Sequence, residues 1–329
     1  MGILPRGVPR IGFGVYSVTG FYGDYSREEA ARIVRRVFEE GVRFFDTADV
    51  YGRGFGEEVL CKALGRDVEE AFIATKVGYD WRGGGPPRRR YEPGYLLRAV
   101  EESTRRLCKR PVDLVQVHNP PLEALREEWL WEELERIREE GLAAHVGVAL
   151  GPETDVLEEG LASLSRSPGL VEALQFVYNA LEQEPGLHLG VYAASRGVLP
   201  IARVPHAGGV LSEELKPGDQ LPGDHRSLRR SGWYDWAFRV YEERLKPVIS
   251  RIPGSPWQRP LRFILDTLPD AVIVVATGSP EKMREALEAL ELPPSPPEAL
   301  AEIRRIYLEE VAESPEAPVK SLRMLGLLR

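Results

Sequence analysis

Three consecutive strands of the predicted sheet end in side chains that can transfer or stabilise a proton. Asp46 ends the first of these strands, and Tyr51 lies in the loop that follows it. Lys76 and His118 end the next two strands. Neighbouring strands lie about 4.8 Å apart, so the four side chains can converge on one small volume. Each residue alone more often has a structural role, but their shared position favours function.

This combination of residue types predicts a general acid. The ordinary pKa of tyrosine is about 10, and a lysine beside it favours the phenolate and lowers that pKa. A carboxylate keeps the lysine charged and in place, and a histidine can hydrogen-bond a carbonyl oxygen. Tyr51 would then protonate an oxyanion while hydride reaches the carbon. No side chain supplies hydride, so the set predicts a nicotinamide cofactor.

Short apolar runs alternate with charged, amphipathic stretches along the whole chain. Period and flanking residues predict strands at 11–16, 42–47, 71–77, 112–117, 145–150, 173–178, 198–204 and 270–276. They predict helices at 26–40, 56–64, 95–109, 130–140, 153–163, 189–194, 234–252, 258–268, 280–290 and 297–312. The longest irregular segment is 205–232, a length typical of functional lids.

Strands that alternate with helices require a parallel sheet with helices outside it. Eight strands predict the α/β class and a (β/α)8 TIM barrel, formed as a single domain over residues 1–329. We expect long loops and an extra C-terminal helix, in a tail at about 295–329. A doubly wound sheet is the alternative, but its GxGxxG fingerprint is missing, because no third glycine follows Gly12 and Gly14 at the right spacing. In a barrel the active site lies at the C-terminal ends of the strands.

Four segments resemble the aldo-keto reductase superfamily over about residues 8 to 290. Residues 41–52 read GVRFFDTADVYG, 73–77 read IATKV, 113–118 read DLVQVH and 201–209 read IARVPHAGG. The resemblance implies that Tyr51 is the proton donor, that Lys76 and Asp46 tune it, and that His118 orients the carbonyl. Members take hydride from NADPH, less often NADH, and reduce aldehydes or ketones. The variant with glutamate at the position of His118 reduces a steroid double bond.

The resemblance also implies cofactor and substrate residues. Gln175 matches the glutamine that binds the nicotinamide amide, and Arg203 falls where a side chain stacks on the nicotinamide ring. Lys282, with Arg284, is the candidate for the 2′-phosphate that separates NADP from NAD. The implied cofactor set is Gly14, Val15, Tyr16, Asp46, Gln175, Arg203, Gly278 and Lys282, and the substrate set is Tyr22, Trp81 and His118.

Several positions depart from the family's pattern, among them residues 275–279 after the last strand, which read VATGS where the family usually has Pro-Gly or Pro-Lys. Ala149 and Leu150 replace the usual Ser-Asn, and Ala286 replaces an asparagine that grips adenine. Non-functional roles also remain open for several members of the implied sets: Gln175 could satisfy backbone groups, Arg203 could form a surface ion pair, and Lys282 could simply be exposed. The alternative to an enzyme is therefore a nicotinamide-binding regulatory or sensor protein on the same fold.

Composition excludes several other classes of protein. The 329 residues are 43% hydrophobic, enough for a large core, and their formal net charge of −8 argues against a nucleic-acid partner. The basic run Arg88-Arg89-Arg90 predicts a solvated loop. His145, His188 and His225 lack metal-ligand spacing, so we expect no metal site.

The remaining expectations concern the cysteines, the cellular location, the thermophilic origin and the partners of the protein. Cys61 and Cys108 exclude a disulfide scaffold, and we expect both to be small core residues in a reducing compartment. No apolar leader and no membrane-length apolar window occur, which predicts a cytoplasmic protein without a membrane partner. Few asparagines and glutamines and many charged residues are typical of a thermophile. The predicted partner is a small carbonyl or alcohol substrate; the sequence gives no signal for an oligomeric state.

Overall fold

The chain folds into a closed barrel of eight parallel strands. The computed structural model describes residues 2–20, 23–152, 154–166, 169–219 and 225–328, so Tyr22 lies outside the described residues. Around the barrel the strands follow the order β1-β10-β9-β8-β7-β6-β3-β2. They are β1 (Ile11–Gly14), β2 (Phe44–Asp46), β3 (Phe72–Val77), β6 (Val112–His118), β7 (Ala143–Ala149), β8 (Val171–Val177), β9 (Leu199–Arg203) and β10 (Val272–Val275), with β4 (Tyr79–Asp80) and β5 (Arg88–Arg89) in a separate hairpin.

The predicted (β/α)8 barrel is confirmed, and each of the eight predicted strands overlaps one barrel strand. The helices are α1 (Arg27–Glu39), α2 (Phe55–Leu64), α3 (Tyr95–Leu107), α4 (Leu122–Arg126), α5 (Glu128–Glu139), α6 (Leu157–Leu164), α7 (Gly186–Ser195), α8 (Trp233–Val240), α9 (Lys246–Ile249), α10 (Arg259–Thr267), α11 (Pro280–Glu288), α12 (Pro297–Glu310) and α13 (Val319–Met324). The predicted helix at 234–252 is divided into α8, a π-turn at Tyr241–Leu245, and α9. The helix predicted from residue 153 begins only at Leu157.

Apolar side chains alternate along each strand and form two layers of the core, one between the strands and the helices and one inside the barrel. On β6, Val115 and Val117 pack outward against the helices, whereas Leu114 belongs to the cluster inside the barrel. The rings of Phe44 and Phe72 stack inside the barrel with centroids 5.3 Å apart. Since Phe44 and Phe72 begin β2 and β3, this apolar layer lies at the N-terminal end of the barrel.

The first residues of the chain cover that end. Ile3 is buried against the interior cluster, and Leu4 and Val8 pack against it while partly exposed. On β1, a side chain at Gly12 would bring a Cβ within 2.5 Å of Cδ1 of Phe44, so the ring fits only because this position is glycine.

The C-terminal tail contains one helix more than the sequence predicts. The carboxylate of Asp155, in the loop after β7, accepts hydrogen bonds from the backbone N–H of Lys320 at 3.0 Å and of Ser321 at 2.8 Å. These two donors lie in the first turn of α13, so a distant loop takes the role of a helix cap. Thr154 also donates to the carbonyl oxygen of Glu316 at 2.7 Å.

The basic run is not a simple solvated loop, and that prediction was wrong. Arg88–Arg89 forms β5, which pairs antiparallel with β4 so that Arg89 lies opposite Tyr79. Arg90 donates to Asp80 at 2.8 Å. A two-residue strand shows no periodicity, which is why the sequence did not reveal this hairpin; the side chains of Arg88 and Arg89 are exposed as expected.

The prediction of reduced core cysteines was also wrong. Cys61 of α2 and Cys108, which directly follows α3, form a disulfide with Cα atoms 5.5 Å apart. Cys108 is exposed and Cys61 is half-buried. The two helices pack side by side, a proximity that the 47-residue separation in sequence does not reveal.

No helix within the described residues is both long and apolar enough to cross a membrane.

Candidate active site

The C-terminal ends of β2, β3 and β6 bring three of the predicted residues together. Asp46 ends β2, Lys76 lies one residue before the end of β3, and His118 ends β6. The Nζ of Lys76 lies 2.6 Å from Oδ1 of Asp46 and 3.0 Å from the carbonyl oxygen of Thr47. Both side chains are buried, with exposed fractions of 1% for Lys76 and 7% for Asp46. A buried pair of this kind fixes the ammonium in one position.

Tyr51 reaches the same volume from the loop after β2. The backbone N–H of Asp49 donates to the carbonyl oxygen of Lys76 at 3.0 Å, which attaches this loop to the end of β3. The Nζ of Lys76 lies 5.2 Å from the centroid of the Tyr51 ring. The ring of His118 lies 5.9 Å from the ring of Tyr51, edge to face. The structure therefore groups all four sequence-predicted catalytic residues.

The predicted lowering of the Tyr51 pKa was wrong. Burial raises the pKa of Tyr51 well above its ordinary value, and the negative charge of Asp46 raises it further. Arg203 acts in the opposite direction but is outweighed. The residue types in the sequence indicate the nearby charge of Lys76 but not the loss of water around the phenol, which raises the pKa. Tyr51 consequently keeps its proton at neutral pH.

Burial also affects the two neighbouring bases. The pKa of Lys76 is lowered by burial, although Asp46 opposes that change. The pKa of His118 lies well below its ordinary value because of burial and, next, because of the charges of Lys76, Arg203 and Arg89. His118 is therefore a neutral imidazole at working pH.

Gln175 lies at the predicted site but bonds to a different partner. Its Nε2 donates to Oδ2 of Asp46 at 2.7 Å. Asp46 thus has one carboxylate oxygen on Lys76 and the other on Gln175. The sequence predicted that Gln175 contacts the cofactor and did not indicate its hydrogen bond to Asp46.

Arg203 extends from the end of β9 to the loop after β7. Its Nη2 donates to the carbonyl oxygens of Leu150 at 2.8 Å and Gly151 at 2.7 Å. Leu150 is one of the two positions where the family's polar Ser-Asn is replaced by apolar residues. The arginine therefore brings a positive charge to this side of the site.

The predicted cofactor positions follow β1 and β10. Gly14 ends β1, Val15 and Tyr16 lie in the 3-10 turn after it, and Tyr16 packs 4.9 Å from Tyr51, ring centroid to ring centroid. A Cβ on Gly278 would lie 2.0 Å from the hydroxyl of Tyr25, so the tyrosine occupies the space that only a glycine leaves.

Lys282 lies in the first turn of α11. Its Nζ is 4.8 Å from the centroid of the Trp257 ring and 3.3 Å from Oε2 of Glu285. Ser279 caps the helix by accepting from the N–H of Lys282. The position suits an anion, although Glu285 competes for the ammonium.

The rim beside His118 contains two residues that the sequence analysis did not select. The ring of Tyr79 lies 5.0 Å from the ring of His118, and its hydroxyl accepts from Nδ2 of Asn119 at 3.1 Å. Trp81, the predicted substrate residue, instead packs near the guanidinium groups of Arg82 and Arg106. The signal for Tyr79 was its place two residues after the end of β3, at the same barrel edge as Lys76.

The described residues contain no group of three side chains that could hold a metal ion.

Comparison with known proteins agrees with this architecture. Residues 10–308 match the model of the Aldo/keto reductase family. The uncharacterized oxidoreductase YqkF of Bacillus subtilis is 24% identical over 314 residues, which cover 94% of this chain and 93% of that protein.

Two solved structures share the fold. The glycerol dehydrogenase of Gluconobacter oxydans has a TM-score of 0.75 at 21% identity, covering 94% of this chain and 96% of that one. An aldo/keto reductase from Klebsiella pneumoniae, in complex with NADP and acetate, has a TM-score of 0.66 at 22% identity, covering 91% and 92%. Because the family match spans nearly the whole chain, this protein belongs to the aldo/keto reductase family and is an oxidoreductase.

Proposed function

We propose that the protein reduces aldehydes or ketones to alcohols with NADPH, and that Tyr51 donates the proton. The observation that carries this proposal is a half-buried, protonated phenol placed between a fixed ammonium and a neutral imidazole. Each partner is oriented by its own contacts: Asp46 holds Lys76, and β6 holds His118.

The residues at the barrel mouth fit a nicotinamide dinucleotide. Gly14 ends β1 and Gly278 lies in the loop after β10; a side chain would approach Cγ1 of Val274 at Gly14 and the hydroxyl of Tyr25 at Gly278. Lys282 and the N-terminal turn of α11 suit a phosphate. When bound, the nicotinamide supplies the hydride. Related support comes from the Klebsiella reductase, whose structure contains NADP.

The protein's own groups act on the oxygen of the substrate. His118 donates an N–H to the carbonyl oxygen and so orients the carbonyl. As the carbon gains hydride and the oxygen gains negative charge, Tyr51 Oη transfers its proton to that oxygen. The charge of Lys76 stabilises the phenolate that remains, and Asp46 and Gln175 keep Lys76 in place.

The preference for NADPH is proposed from Lys282 and is tested by binding. Fluorescence titration should give a lower Kd for NADPH than for NADH, and Lys282→Ala should remove most of the difference. Lys62→Ala, which removes an exposed lysine of α2, is the control and should change neither Kd. Equal affinities of the wild type for the two cofactors would indicate that Glu285 neutralises Lys282 and would contradict the proposed preference for NADPH.

A nicotinamide-binding regulatory protein is the second candidate. It is favoured by the apolar Ala149-Leu150 pair, which lacks the two polar contacts that the family uses for the nicotinamide amide. Steady-state turnover of a generic aldehyde with NADPH separates the two: multiple turnovers per site support the enzyme, and binding without turnover supports the regulator.

A further inference from the structure

Gln116 lies two residues before His118 on β6, and its side chain is the next one toward the N-terminal end on the inner face of the barrel. Side chains alternate along a strand, so Leu114, Gln116 and His118 of β6 share one face. Leu114 is part of the interior apolar cluster, and Gln116 is fully buried. Its neighbours in register are Lys76 on β3 and Gly147 on β7.

The polar atoms of this pair have no hydrogen-bond partner among the residues that the structure describes. They are Oε1 and Nε2 of Gln116 and Nδ1 of His118, all buried. A buried polar group without a partner destabilises the fold, and such groups are usually paired with protein or with an internal water. The two residues are about 6.6 Å apart along the strand. That spacing leaves the amide and the imidazole, which form no direct hydrogen bond, close enough for a single water to bridge them.

The tautomer of His118 decides whether it can serve the proposed reaction. A neutral imidazole has one donor nitrogen and one acceptor nitrogen. Because Nδ1 is buried, Nε2 is the nitrogen available to a substrate. A hydrogen bond from Nε2 to a carbonyl oxygen requires the proton on Nε2, so Nδ1 must accept a hydrogen bond from below.

We propose that Gln116 is a positioning residue for carbonyl reduction. Its amide N–H donates to one buried water, which in turn donates to Nδ1 of His118 and so fixes the tautomer with the proton on Nε2. A water there would have the amide oxygen, the amide nitrogen and the imidazole as partners, within the two to four that a buried water needs. This inference rests on the proposed function only for its effect on rate; the tautomer is a property of the protein itself.

The tautomer is measured by NMR of protein with 15N-labelled histidine. The chain has five histidines, and the His118→Asn spectrum assigns the signals of His118. We expect the wild type to show Nε2 protonated and Nδ1 unprotonated. Gln116→Met keeps the approximate size of the side chain but cannot donate, and it should populate the other tautomer.

The same variant tests the effect on rate. Gln116→Met should lower kcat/KM for an aldehyde by about 10- to 100-fold, a part of the loss that follows removal of an oxyanion donor. The Kd for NADPH should not change, because Gln116 lies below the site. Gln183→Met, at another buried glutamine, is the matched control and should leave the His118 spectrum unchanged.

Gln116→Glu gives an independent second test. An ionised carboxylate only accepts hydrogen bonds, so it should draw the proton to Nδ1 and reverse the tautomer. This variant also decides the matter if the methionine variant does not fold.

Three results would overturn the inference. They are a wild type with the proton on Nδ1, a variant spectrum identical to wild type, and a changed tautomer with unchanged kcat/KM. A merely structural role would lower the Tm of Gln116→Met without altering the His118 signals. If the wild type turns over no aldehyde, the proposed function fails while the NMR result still decides the tautomer.

Discussion

Gln175 and Asp46 form a hydrogen bond across the full width of the barrel. They lie on β8 and β2, which stand opposite each other in the closed sheet, and Nε2 of Gln175 is 2.7 Å from Oδ2 of Asp46. The bond crosses directly above the apolar interior. It leaves Oε1 of Gln175 as the atom that can accept from a nicotinamide amide.

Gln175→Met should therefore weaken both the stability of the fold and the binding of NADPH. A hydrogen bond to a charged group contributes about 1.5–3 kcal/mol to stability, so the free energy of unfolding should fall by roughly that amount in urea denaturation. The Kd for NADPH should rise in fluorescence titration. An unchanged Kd with reduced stability would confine Gln175 to a structural role.

Tyr51→Phe should lower kcat for carbonyl reduction by about 10²- to 10⁴-fold, the usual contribution of a positioned general acid. Phenylalanine keeps the ring against Tyr16 and His118 but has no proton to give. The Kd for NADPH should stay nearly constant. A variant with near wild-type kcat would mean that another group protonates the substrate.

The barrel and the grouping of the four proposed catalytic residues could be predicted because both follow from local patterns. The hydrophobic periods of strands and helices can be recognised in short segments of sequence. The carboxyl ends of parallel strands meet at one edge of the barrel, independently of the loop conformations. The Gln175–Asp46 bond could not be predicted, because it depends on the diameter of the barrel. The Cys61–Cys108 disulfide and the Asp155 cap depend on which distant segments pack together. The direction of the Tyr51 pKa shift depends on how completely its loop excludes water.

The disulfide should make thermal stability depend on reducing conditions. A cross-link between residues 47 apart in sequence stabilises by up to about 4 kcal/mol in the chain-entropy model. A reductant should lower the Tm of the wild type, and Cys61→Ala with Cys108→Ala should have that lower Tm in either condition. Titration of thiols in the denatured, unreduced protein should find none; two reactive thiols would contradict the disulfide.

His206 should make stability fall on mild acidification. Burial lowers its pKa from 6.5 to about 4, so the unfolded chain binds its proton at a higher pH than the folded protein does. Stability from this group is therefore complete above pH 6.5 and decreases as pH falls toward 4, by roughly 3 kcal/mol in all. His118 acts in the same direction.

His206→Phe tests that dependence. The histidine ring stacks on Trp257 with centroids 3.9 Å apart, and phenylalanine can keep the stack without titrating. The variant should lose less Tm than the wild type between pH 6.5 and pH 4. Parallel curves for the two proteins would show that His206 is not protonated on unfolding.

The stacked pair of Phe44 and Phe72, covered by Ile3, seals the barrel at its lower end. In the proposed reduction, each turnover takes one proton from the surrounding water to restore Tyr51. With that end dry, the proton must arrive through the same opening that admits the substrate. In the proposed reaction, reprotonation of the phenol and release of the alcohol product would therefore use the same opening of the barrel.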